Sequence, residues 1–455
     1  MEGWLSAATD YIARWIAFQR EHFDQPGVSL AVVAAGRPVL TAAFGSANLA
    51  TGEALTPAHR FRVASHSKSF TAAGILLLKD RGRLRLDDPA GRHVPGLHPE
   101  VAEATLAQLM SHSAGLVRDG ADAGQFSDER PFLDRAQLMA GLAEAPVLPA
   151  ATRFKYSNHG FGLLGLVIEA VTGEAYNDWI AREVVAAAGL ADTFPDIAAA
   201  AGGPLAAGHS GRMLTGRRLI IPGDNPTHAM ASATGFVSTP GDLARFFAQL
   251  SPAAADSILS PASRREMTRR HWRDRETALE RYYGLGTIGS QLGEWEAFGH
   301  SGSFQGTLSR TAMVPGQDLC VSVVTNAIDG MAHAWLEGAV AILRAYRKAG
   351  APTPEAADWA GRWWTLWSAV DLVPMGARVL ACHPALPVPL SEASELALTG
   401  RDTAIIDKAP GFASPGEPAR RERAPDGSVA AVWLAGGRLW PEAVLRERLL
   451  ARYAR

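Results

Sequence analysis

The sequence predicts an α+β protein, in which an antiparallel sheet and a separate all-helical lobe are followed by a small all-β, barrel-like domain. Strand-like apolar runs lie near the start of the chain and return before residue 325, and the segments between them are mostly helical in pattern. Strands from both ends can share one sheet, which leaves the central helices as a lobe. A Gly- and Pro-containing stretch at residues 349–354 marks a change of composition. We therefore predict a first domain at 1–350, a linker at 351–357 and a β-rich domain at 358–455.

The first part of the chain is predicted to hold a surface helix, a hairpin and a buried helix. Residues 1–23 mix apolar and charged side chains as an amphipathic helix does. Residues 28–34 and 38–44 are apolar runs on either side of a short turn, which indicates a β-hairpin. Residues 65–81 are almost wholly apolar beyond Lys68 and stop at Gly82, which indicates a buried helix with a glycine C-terminal signal.

The later elements follow from the same periodicities. Helices are predicted at residues 105–110, 160–171, 179–188, 242–250 and 331–347, and strands at 284–288, 308–314 and 319–324. Beyond the linker, short alternating runs and turns indicate the β-rich domain. Half of the 12 tryptophans lie there, and we expect them in the barrel core: Trp359, Trp363, Trp364, Trp367, Trp433 and Trp440.

Composition excludes several classes of function. The 455 residues carry 44 basic and 46 acidic side chains, and this balance leaves no field to recruit nucleic acid or an anionic membrane. No secretory signal and no membrane-spanning stretch is visible, and two cysteines do not make a disulfide framework. We expect a cytoplasmic protein with a small-molecule or peptide substrate and no nucleic-acid or membrane partner.

Only five of the basic residues are lysine, and Lys68 is the one with a serine three residues before it. On a helix these two positions share a face, so the Lys68 amine can reach the Ser65 hydroxyl. Burial of that helix favours the neutral amine, and arginine cannot give up its proton in the same way. Ser65 near a helix start would also have free backbone N–H groups beside it. The pair meets the requirements of an activated acyl-transfer nucleophile.

Two further motifs carry polar groups suited to the same chemistry. Tyr156 and Asn158 lie just before a predicted helix, where the phenol can relay a proton and the amide can orient lysine or substrate. His300 and Gly302 lie between strand-like runs, and the Ser303 N–H can serve as an oxyanion donor.

The three motifs in this order resemble the class C β-lactamase and penicillin-binding-protein-like serine hydrolases, the superfamily of S12-type peptidases, esterases and D-aminopeptidases. Supporting matches lie at residues 26–28, 83–89, 105–116 and 233–239, and the resemblance covers residues 8–347. It implies a β-lactamase/transpeptidase-like sheet flanked by helices, with the site between the sheet and the helical lobe. The end of the chain, at residues 361–364 and 416–427, resembles the lipocalin-like domain of penicillin-binding-protein-type thioesterases.

The resemblance also implies a role for each motif residue. Ser65 is the nucleophile, Lys68 and Tyr156 are the acid/base pair, and Asn158 contacts lysine and substrate. His300 is the third-motif side chain, and the N–H groups of Ser65 and of Ser303, which follows Gly302, form the oxyanion hole.

One departure bears on the substrate. His300 stands where the β-lactamases and cell-wall carboxypeptidases usually carry a lysine that helps to hold a substrate carboxylate, and histidine is mostly neutral near pH 7. This disfavours a carboxylate-ended substrate. The His-x-Gly form resembles the esterase, D-aminopeptidase or amidase, and peptide-cyclising thioesterase branches, which implies a peptide, amide or ester substrate, including D-configured ones. An acyltransferase, a peptide-cyclising thioesterase and a catalytically silent ligand-binding module stay open as alternatives.

Other candidate sites have simpler interpretations. The histidines show no paired metal spacing, so neither a metal nor another cofactor is expected. The glycine-rich run that begins at Tyr283 lacks the helix of a dinucleotide site and is interpreted as a strand. His112 is interpreted as a loop-fixing residue and Cys320 as a core residue. The absence of a Gly-x-Ser-x-Gly elbow argues against an α/β-hydrolase.

Overall fold

The computed structural model describes residues 2–200, 202–277 and 281–454. The chain divides into two compact units. The larger unit is Gln25–Leu336, and the smaller unit combines Met1–Asp24 with Glu337–Arg455. Among the described residues, no helix has the length and apolar character needed to cross a membrane.

Helices and strands are numbered here in chain order. The helices are α1 (Gly3–His22), α2 (Ser67–Asp80), α3 (Pro99–Ala102), α4 (Leu106–Met110), α5 (Arg135–Leu142), α6 (Asn158–Thr172), α7 (Tyr176–Ile180), α8 (Pro240–Gln249), α9 (Pro261–Thr268), α10 (Ala332–Ala349), α11 (Pro354–Ala357) and α12 (Glu442–Tyr453). The strands are β1 (Gly27–Ala34), β2 (Arg37–Asn48), β3 (Glu53–Ala54), β4 (Phe61–Arg62), β5 (Gly208–His209), β6 (Ile220–Ile221), β7 (Val237–Ser238), β8 (Trp272–Arg273), β9 (Arg281–Tyr283), β10 (Ile288–Leu292), β11 (Trp295–Phe304), β12 (Thr307–Val314), β13 (Leu319–Thr325), β14 (Gly361–Trp364), β15 (Ala369–Met375), β16 (Arg378–Cys382), β17 (Ser394–Gly400), β18 (Thr403–Lys408), β19 (Pro418–Arg423), β20 (Val429–Leu434) and β21 (Gly437–Leu439).

The larger unit contains an antiparallel sheet in the order β3-β2-β1-β13-β12-β11-β10-β9-β8. The first strand pairs with the last, with Val28 opposite Thr325 and Ala34 opposite Leu319. Both strands are buried along nearly their whole length, which matches their unbroken apolar sequences. The prediction that strands from both ends share one antiparallel sheet is confirmed.

Helix α2 runs through the core of the helical lobe, and its residues from Ser67 to Leu78 are all buried. Helix α6 packs against α2 and begins where the Ser157 hydroxyl accepts a hydrogen bond from the Gly160 N–H. It ends at Gly173, whose φ of 77° is the left-handed conformation that glycine adopts without a Cβ penalty. These contacts fix the ends of the two helices that carry the motifs.

One local prediction was wrong, and one predicted helix has different bounds. Residues 284–287 are not a strand, because Gly286 has a φ of 69° and turns the chain onto α2. Its N–H donates to the Met110 carbonyl, and its carbonyl accepts from the Ser69 hydroxyl. The helix predicted at 179–188 begins earlier, at Tyr176, and continues as a π-helical segment at Ala181–Ala186.

The smaller unit contains the strands β14 to β21 in sequential antiparallel order. Trp364 and Trp440 exchange backbone hydrogen bonds of 2.8 and 2.9 Å, so the first strand meets the end of the last and the barrel is nearly closed. The predicted α+β fold with a barrel-like C-terminal domain is confirmed. The predicted linker includes α11, whose Ala356 is buried in the barrel core, and the boundaries at 350 and 358 stay predictions.

Most of the C-terminal tryptophans are not in the barrel core. All six lie in the described part of the chain, yet only Trp359 is fully buried, and Trp367 is 91% exposed. The ring of Trp433 stacks with the guanidinium groups of Arg420 and Arg438 instead. The core prediction failed because arginine side chains can cover tryptophan rings at a surface.

Helix α1 is amphipathic as predicted, with Ile12 and Trp15 buried in the smaller unit. The Trp15 indole N–H donates to the Pro384 carbonyl at 3.1 Å. Cys320 and Cys382 are both buried free thiols, and Cys320 is a core residue of β13 as expected.

Candidate active site

Ser65 lies in a single 3₁₀ turn, Ala64–His66, immediately before α2. Ala64 has a φ of 46°, a left-handed conformation that costs a non-glycine residue about 1–2 kcal/mol. The turn is held on both sides: the Val63 N–H donates to the Phe236 carbonyl at 2.9 Å, and the Ser67 hydroxyl donates to the Ala64 carbonyl. The serine is therefore held at the predicted helix start by a constrained backbone.

Lys68 is fully buried one turn further along and has three oxygen neighbours. Its Nζ lies 2.6 Å from Asn158 Oδ1, 2.8 Å from the Ala233 carbonyl oxygen and 3.1 Å from Ser65 Oγ. Burial holds the pKa of Lys68 well below its usual value, while Asp119 opposes this shift and Arg118 adds to it. The site therefore favours a neutral amine in contact with the Ser65 hydroxyl.

The Asn158 side chain is oriented by a carboxylate behind it. Its Nδ2 donates to Asp119 Oδ1 at 2.5 Å, so its Oδ1 must face Lys68. Asp119 is 9% exposed, and its other oxygen accepts from Arg118 Nε at 3.0 Å. A chain of polar contacts thus runs from Arg118 at the surface to the Lys68 amine.

Tyr156 contacts the same serine. Burial raises the pKa of Tyr156 well above its usual value, although a hydrogen bond with the Ser65 side chain and the nearby Arg118 charge lower it. The Lys68 amine lies 4.8 Å from the centre of the Tyr156 ring. The phenol therefore stays protonated and is suited to donating a proton near Ser65.

The third motif lies on β11, which reaches the turn that carries Ser65 because residue 302 is glycine. A Cβ at Gly302 would lie 2.1 Å from the Val63 carbonyl oxygen and 2.7 Å from Ser309 Oγ. Real Cβ atoms do not approach oxygen so closely. The next residue, Ser303, is exposed and lines the same cavity as Ser65.

His300 is buried, and both of its ring nitrogens face protein atoms. Nε2 lies 2.9 Å from the Tyr283 hydroxyl, and Nδ1 lies 2.7 Å from the Ser301 carbonyl oxygen and 2.9 Å from the Ser301 nitrogen. Burial holds the pKa of His300 well below its usual value, and the neighbouring His66 and Lys68 lower it further. The ring is neutral, so it cannot supply the positive charge of a third-motif lysine.

A cavity of about 720 Å³ opens onto these groups. Its walls include Ser65, Tyr156, Asn158, His300 and Ser303, which brings residues of all three motifs to one place. Apolar side chains form another part of the lining: Phe126, Ile288, Phe304, Leu308 and Ile328. The cavity combines an apolar wall with a serine, an amine and a phenol.

The comparisons with known proteins agree with this arrangement. The family model described as Beta-lactamase matches residues 13–340. The chain belongs to the β-lactamase family. The resemblance drawn from the motifs is thereby confirmed.

Two curated relatives show how far the similarity extends within the β-lactamase family. Protein flp of Staphylococcus aureus (strain MW2) is 29% identical over 162 residues, which are 34% of this chain and 32% of the relative. The chain thus spans about a third of that relative's length. Penicillin-binding protein 4 of Amycolatopsis lactamdurans is 27% identical over 326 residues, which are 69% of this chain and 84% of that protein.

Solved structures show the same fold at low identity. The octameric penicillin-binding protein homologue from Pyrococcus abyssi has a TM-score of 0.67 at 21% identity and covers 95% of this chain and 99% of its own. D-amino acid amidase from Ochrobactrum anthropi SV3, complexed with D-phenylalanine, has a TM-score of 0.61 at 22% identity. The match covers 75% of this chain and 100% of the amidase chain.

Sequence reasoning missed several residues at this β-lactamase-family site. Arg118 and Asp119 follow a recognised motif but stand in a loop without a pattern of their own. Tyr283 was interpreted only as part of a glycine-rich strand, yet its hydroxyl also lies 3.1 Å from His112 Nε2. The signal that could have found Asp119 is an acidic residue close behind the motif at 105–116. In the described part of the chain, no group of three His, Cys, Asp or Glu residues is placed to hold a metal ion.

Proposed function

We propose that the protein is a serine hydrolase that forms an acyl-enzyme on Ser65, with Lys68 and Tyr156 as the acid/base pair. The substrate class is a peptide, amide or ester, including D-configured ones. The proposal extends to the barrel, which we interpret as lipocalin-like.

The observation that carries the proposal is the set of contacts around Lys68 Nζ. A neutral amine has two N–H donors and one lone pair. The two shorter contacts, to Asn158 Oδ1 and the Ala233 carbonyl, are with oxygens that accept hydrogen bonds, so they take both N–H groups. The lone pair is left to face Ser65 Oγ at 3.1 Å, where it can take the hydroxyl proton.

In the proposed catalytic cycle, every bond and proton is accounted for by the substrate, water and these side chains, without a cofactor. Ser65 Oγ bonds to the substrate carbonyl carbon while its proton moves to Lys68, and the N–H groups of Ser65 and Ser303 stabilise the oxyanion. When the bond to the leaving group breaks, Tyr156 donates its proton to that group and is reprotonated by the Lys68 ammonium. Water repeats the sequence on the acyl-enzyme and frees the acid.

The position of Asp119 favours a substrate whose acyl group carries a free amine. The carboxylate lines the cavity and is mostly buried, and a carboxylate has acceptor positions beyond the two used by Asn158 and Arg118. The apolar wall can hold a side chain on the same acyl group. A D-amino acid amide or ester offers both features, in keeping with the fold shared with the D-amino acid amidase.

A fluorophosphonate probe tests the nucleophile directly. We expect one added mass on the wild-type chain and none on Ser65→Ala, with circular dichroism unchanged. Ser67→Ala is a poor control because Ser67 stabilises the turn, so Ser111→Ala serves as the matched serine. Full labelling of Ser65→Ala would rule out the proposed nucleophile, and failure to label the wild type would favour the silent ligand-binding module.

A substrate panel tests the chemistry. D- and L-amino acid amides, p-nitrophenyl esters and a chromogenic cephalosporin are incubated with the protein, and product masses are measured. We expect D-amino acid amides and esters to be hydrolysed, and Asp119→Asn to lower turnover of amino esters more than of the same esters without the amine. Products joined to an added amine would identify an acyltransferase, and ring products a cyclising thioesterase.

A further inference from the structure

We propose that Tyr283 is a positioning residue, whose hydroxyl joins His112 to His300 and holds the His300 ring in place. The proposal rests on the function proposed above and adds to it a device that ties the second motif to the third. In it, His300 acts through the position of β11 and has no ring nitrogen left for the substrate.

The direction of the hydrogen bonds begins at the second motif. The backbone N–H of Ser157 donates to His112 Nδ1 at 3.1 Å, so the proton of a neutral His112 must be on Nε2. That Nε2 lies 3.1 Å from the Tyr283 hydroxyl and donates to it. The same hydroxyl lies 2.9 Å from His300 Nε2, so it joins the two rings.

The other ring nitrogen of His300 faces the backbone of β11. Nδ1 lies 2.9 Å from the Ser301 nitrogen, whose N–H donates to it, and 2.7 Å from the Ser301 carbonyl oxygen. Both ring nitrogens of His300 therefore have protein partners, as buried polar groups require.

The three groups are buried and electrically neutral. Tyr283 is 4% exposed, and His112 and His300 are each 1% exposed. Burial lowers the pKa of both histidines well below their usual value and raises that of the Tyr283 phenol. Protonated imidazole is therefore disfavoured for both histidines, so the hydrogen bonds of Tyr283 control where the two rings lie and not their charge.

The two histidines at the ends of this hydrogen-bonded series also contact the backbone of the second and third motifs. His112 also accepts a backbone hydrogen bond from Lys155 through its carbonyl oxygen, at 2.7 Å, and it has a left-handed φ of 56°. It thus holds the segment that carries Tyr156 and Asn158. His300 is bonded to its own neighbour Ser301 on β11, two residues before the proposed oxyanion donor Ser303. Tyr283 is the one described side chain that bridges the two histidines by hydrogen bonds.

The link between Tyr283 and His300 can be detected without any substrate. We expect long-range ¹H–¹⁵N spectra of ring-labelled protein to show a clear shift of the His300 ring signals in Tyr283→Phe, with these signals assigned by their loss in His300→Asn. Unchanged His300 signals in Tyr283→Phe would overturn the proposal.

Kinetics then test whether the position matters. Tyr283→Phe removes the buried hydroxyl that is the hydrogen-bond partner of both histidines. We expect it to lower kcat/KM for a p-nitrophenyl ester by about tenfold to a hundredfold, mostly through kcat. Tyr282→Phe is the matched control, since its half-buried ring faces Arg270, and it should stay within about twofold of wild type. Thermal melting of each variant reports whether it folds.

A double variant separates positioning from a general structural effect. If Tyr283 acts through His300, Tyr283→Phe combined with His300→Asn should be no worse than His300→Asn alone. Multiplied losses in the double variant would contradict the proposal. Failure of the fluorophosphonate to label Ser65 would refute the hydrolase function but leave the spectroscopic result on His300 standing, so the two failures are distinguishable.

Discussion

Asn158 Oδ1 lies 2.6 Å from Lys68 Nζ, closer than Ser65 Oγ at 3.1 Å. The amide cannot turn around, because its Nδ2 is bound to Asp119 Oδ1 at 2.5 Å. Asn158 therefore presents a fixed acceptor to the amine, without adding a negative charge beside it. This neutrality matters because any charge near Lys68 changes the proton affinity on which the proposed mechanism depends.

Asn158→Asp and Asp119→Asn should move the pH profile in opposite directions. A carboxylate at residue 158 favours the ammonium of Lys68, so the acid limb of kcat/KM should move to higher pH. Asp119→Asn removes a charge that raises the pKa of Lys68, so the limb should move to lower pH. The profiles are measured with a p-nitrophenyl ester that carries no amine. Shifts in the same direction would show that the limb does not report Lys68.

Lys68→Arg should be nearly inactive, although it keeps a positive charge. Arginine stays protonated at any working pH, so it cannot accept the Ser65 proton, and we expect kcat/KM to fall by about a thousandfold or more. Lys79→Arg is the matched control on the same helix, because Lys79 is partly exposed and its Nζ bonds to Ser263 Oγ at 2.9 Å. Steady-state turnover of the same ester checks both. Wild-type turnover in Lys68→Arg would make Lys68 a charge anchor only.

The sequence allowed the fold class and the main motifs to be predicted because each has a local signal. The apolar runs at the two ends indicated a shared sheet, and the spacing of Ser65 and Lys68 indicated a shared helix face. Burial of a whole helix, as in α2, leaves such a signal in the sequence itself.

The rest could not be predicted because it depends on contacts between distant segments. Tyr283 meets His112 across 171 residues, and Asp119 meets Asn158 across 39. Periodicity carries no information about such pairs. The turn at Gly286 was misassigned for the same reason: it is set by α2 and Met110, which lie far from it in the sequence.

Gly302→Ala should reduce activity without unfolding the chain. The added methyl would meet the Val63 carbonyl two residues before Ser65, and backbone cannot move aside as a flexible side chain can. We expect β11 to shift away from the turn that carries Ser65. The value of kcat/KM should then fall by about a hundredfold, since small displacements of reacting groups have effects of that size. Gly316→Ala is the control, because a Cβ there meets nothing within 4 Å. Equal activity of the two variants would contradict the close approach of β11.

The unfolding free energy should fall as the pH is lowered below neutrality, and His66 should account for part of the fall. His66 is fully buried, and burial lowers its pKa from 6.5 to about 3. Below pH 6.5 the unfolded chain binds a proton that the folded chain refuses, so stability is lost progressively until about pH 3. Over that window one such histidine contributes a slope of about 1.4 kcal/mol per pH unit.

Urea unfolding at several pH values between 4 and 7 measures this slope. His66→Gln keeps the polarity but removes the titration, so its free energy should depend less steeply on pH than that of the wild type. His22→Gln is the matched control, because His22 is an exposed histidine on α1. His66 also binds Thr311 Oγ1 at 3.0 Å, so His66→Gln is expected to be less stable at pH 7. The comparison therefore uses the slope and not the absolute stability, and an undiminished slope in His66→Gln would assign the acid sensitivity to other buried groups.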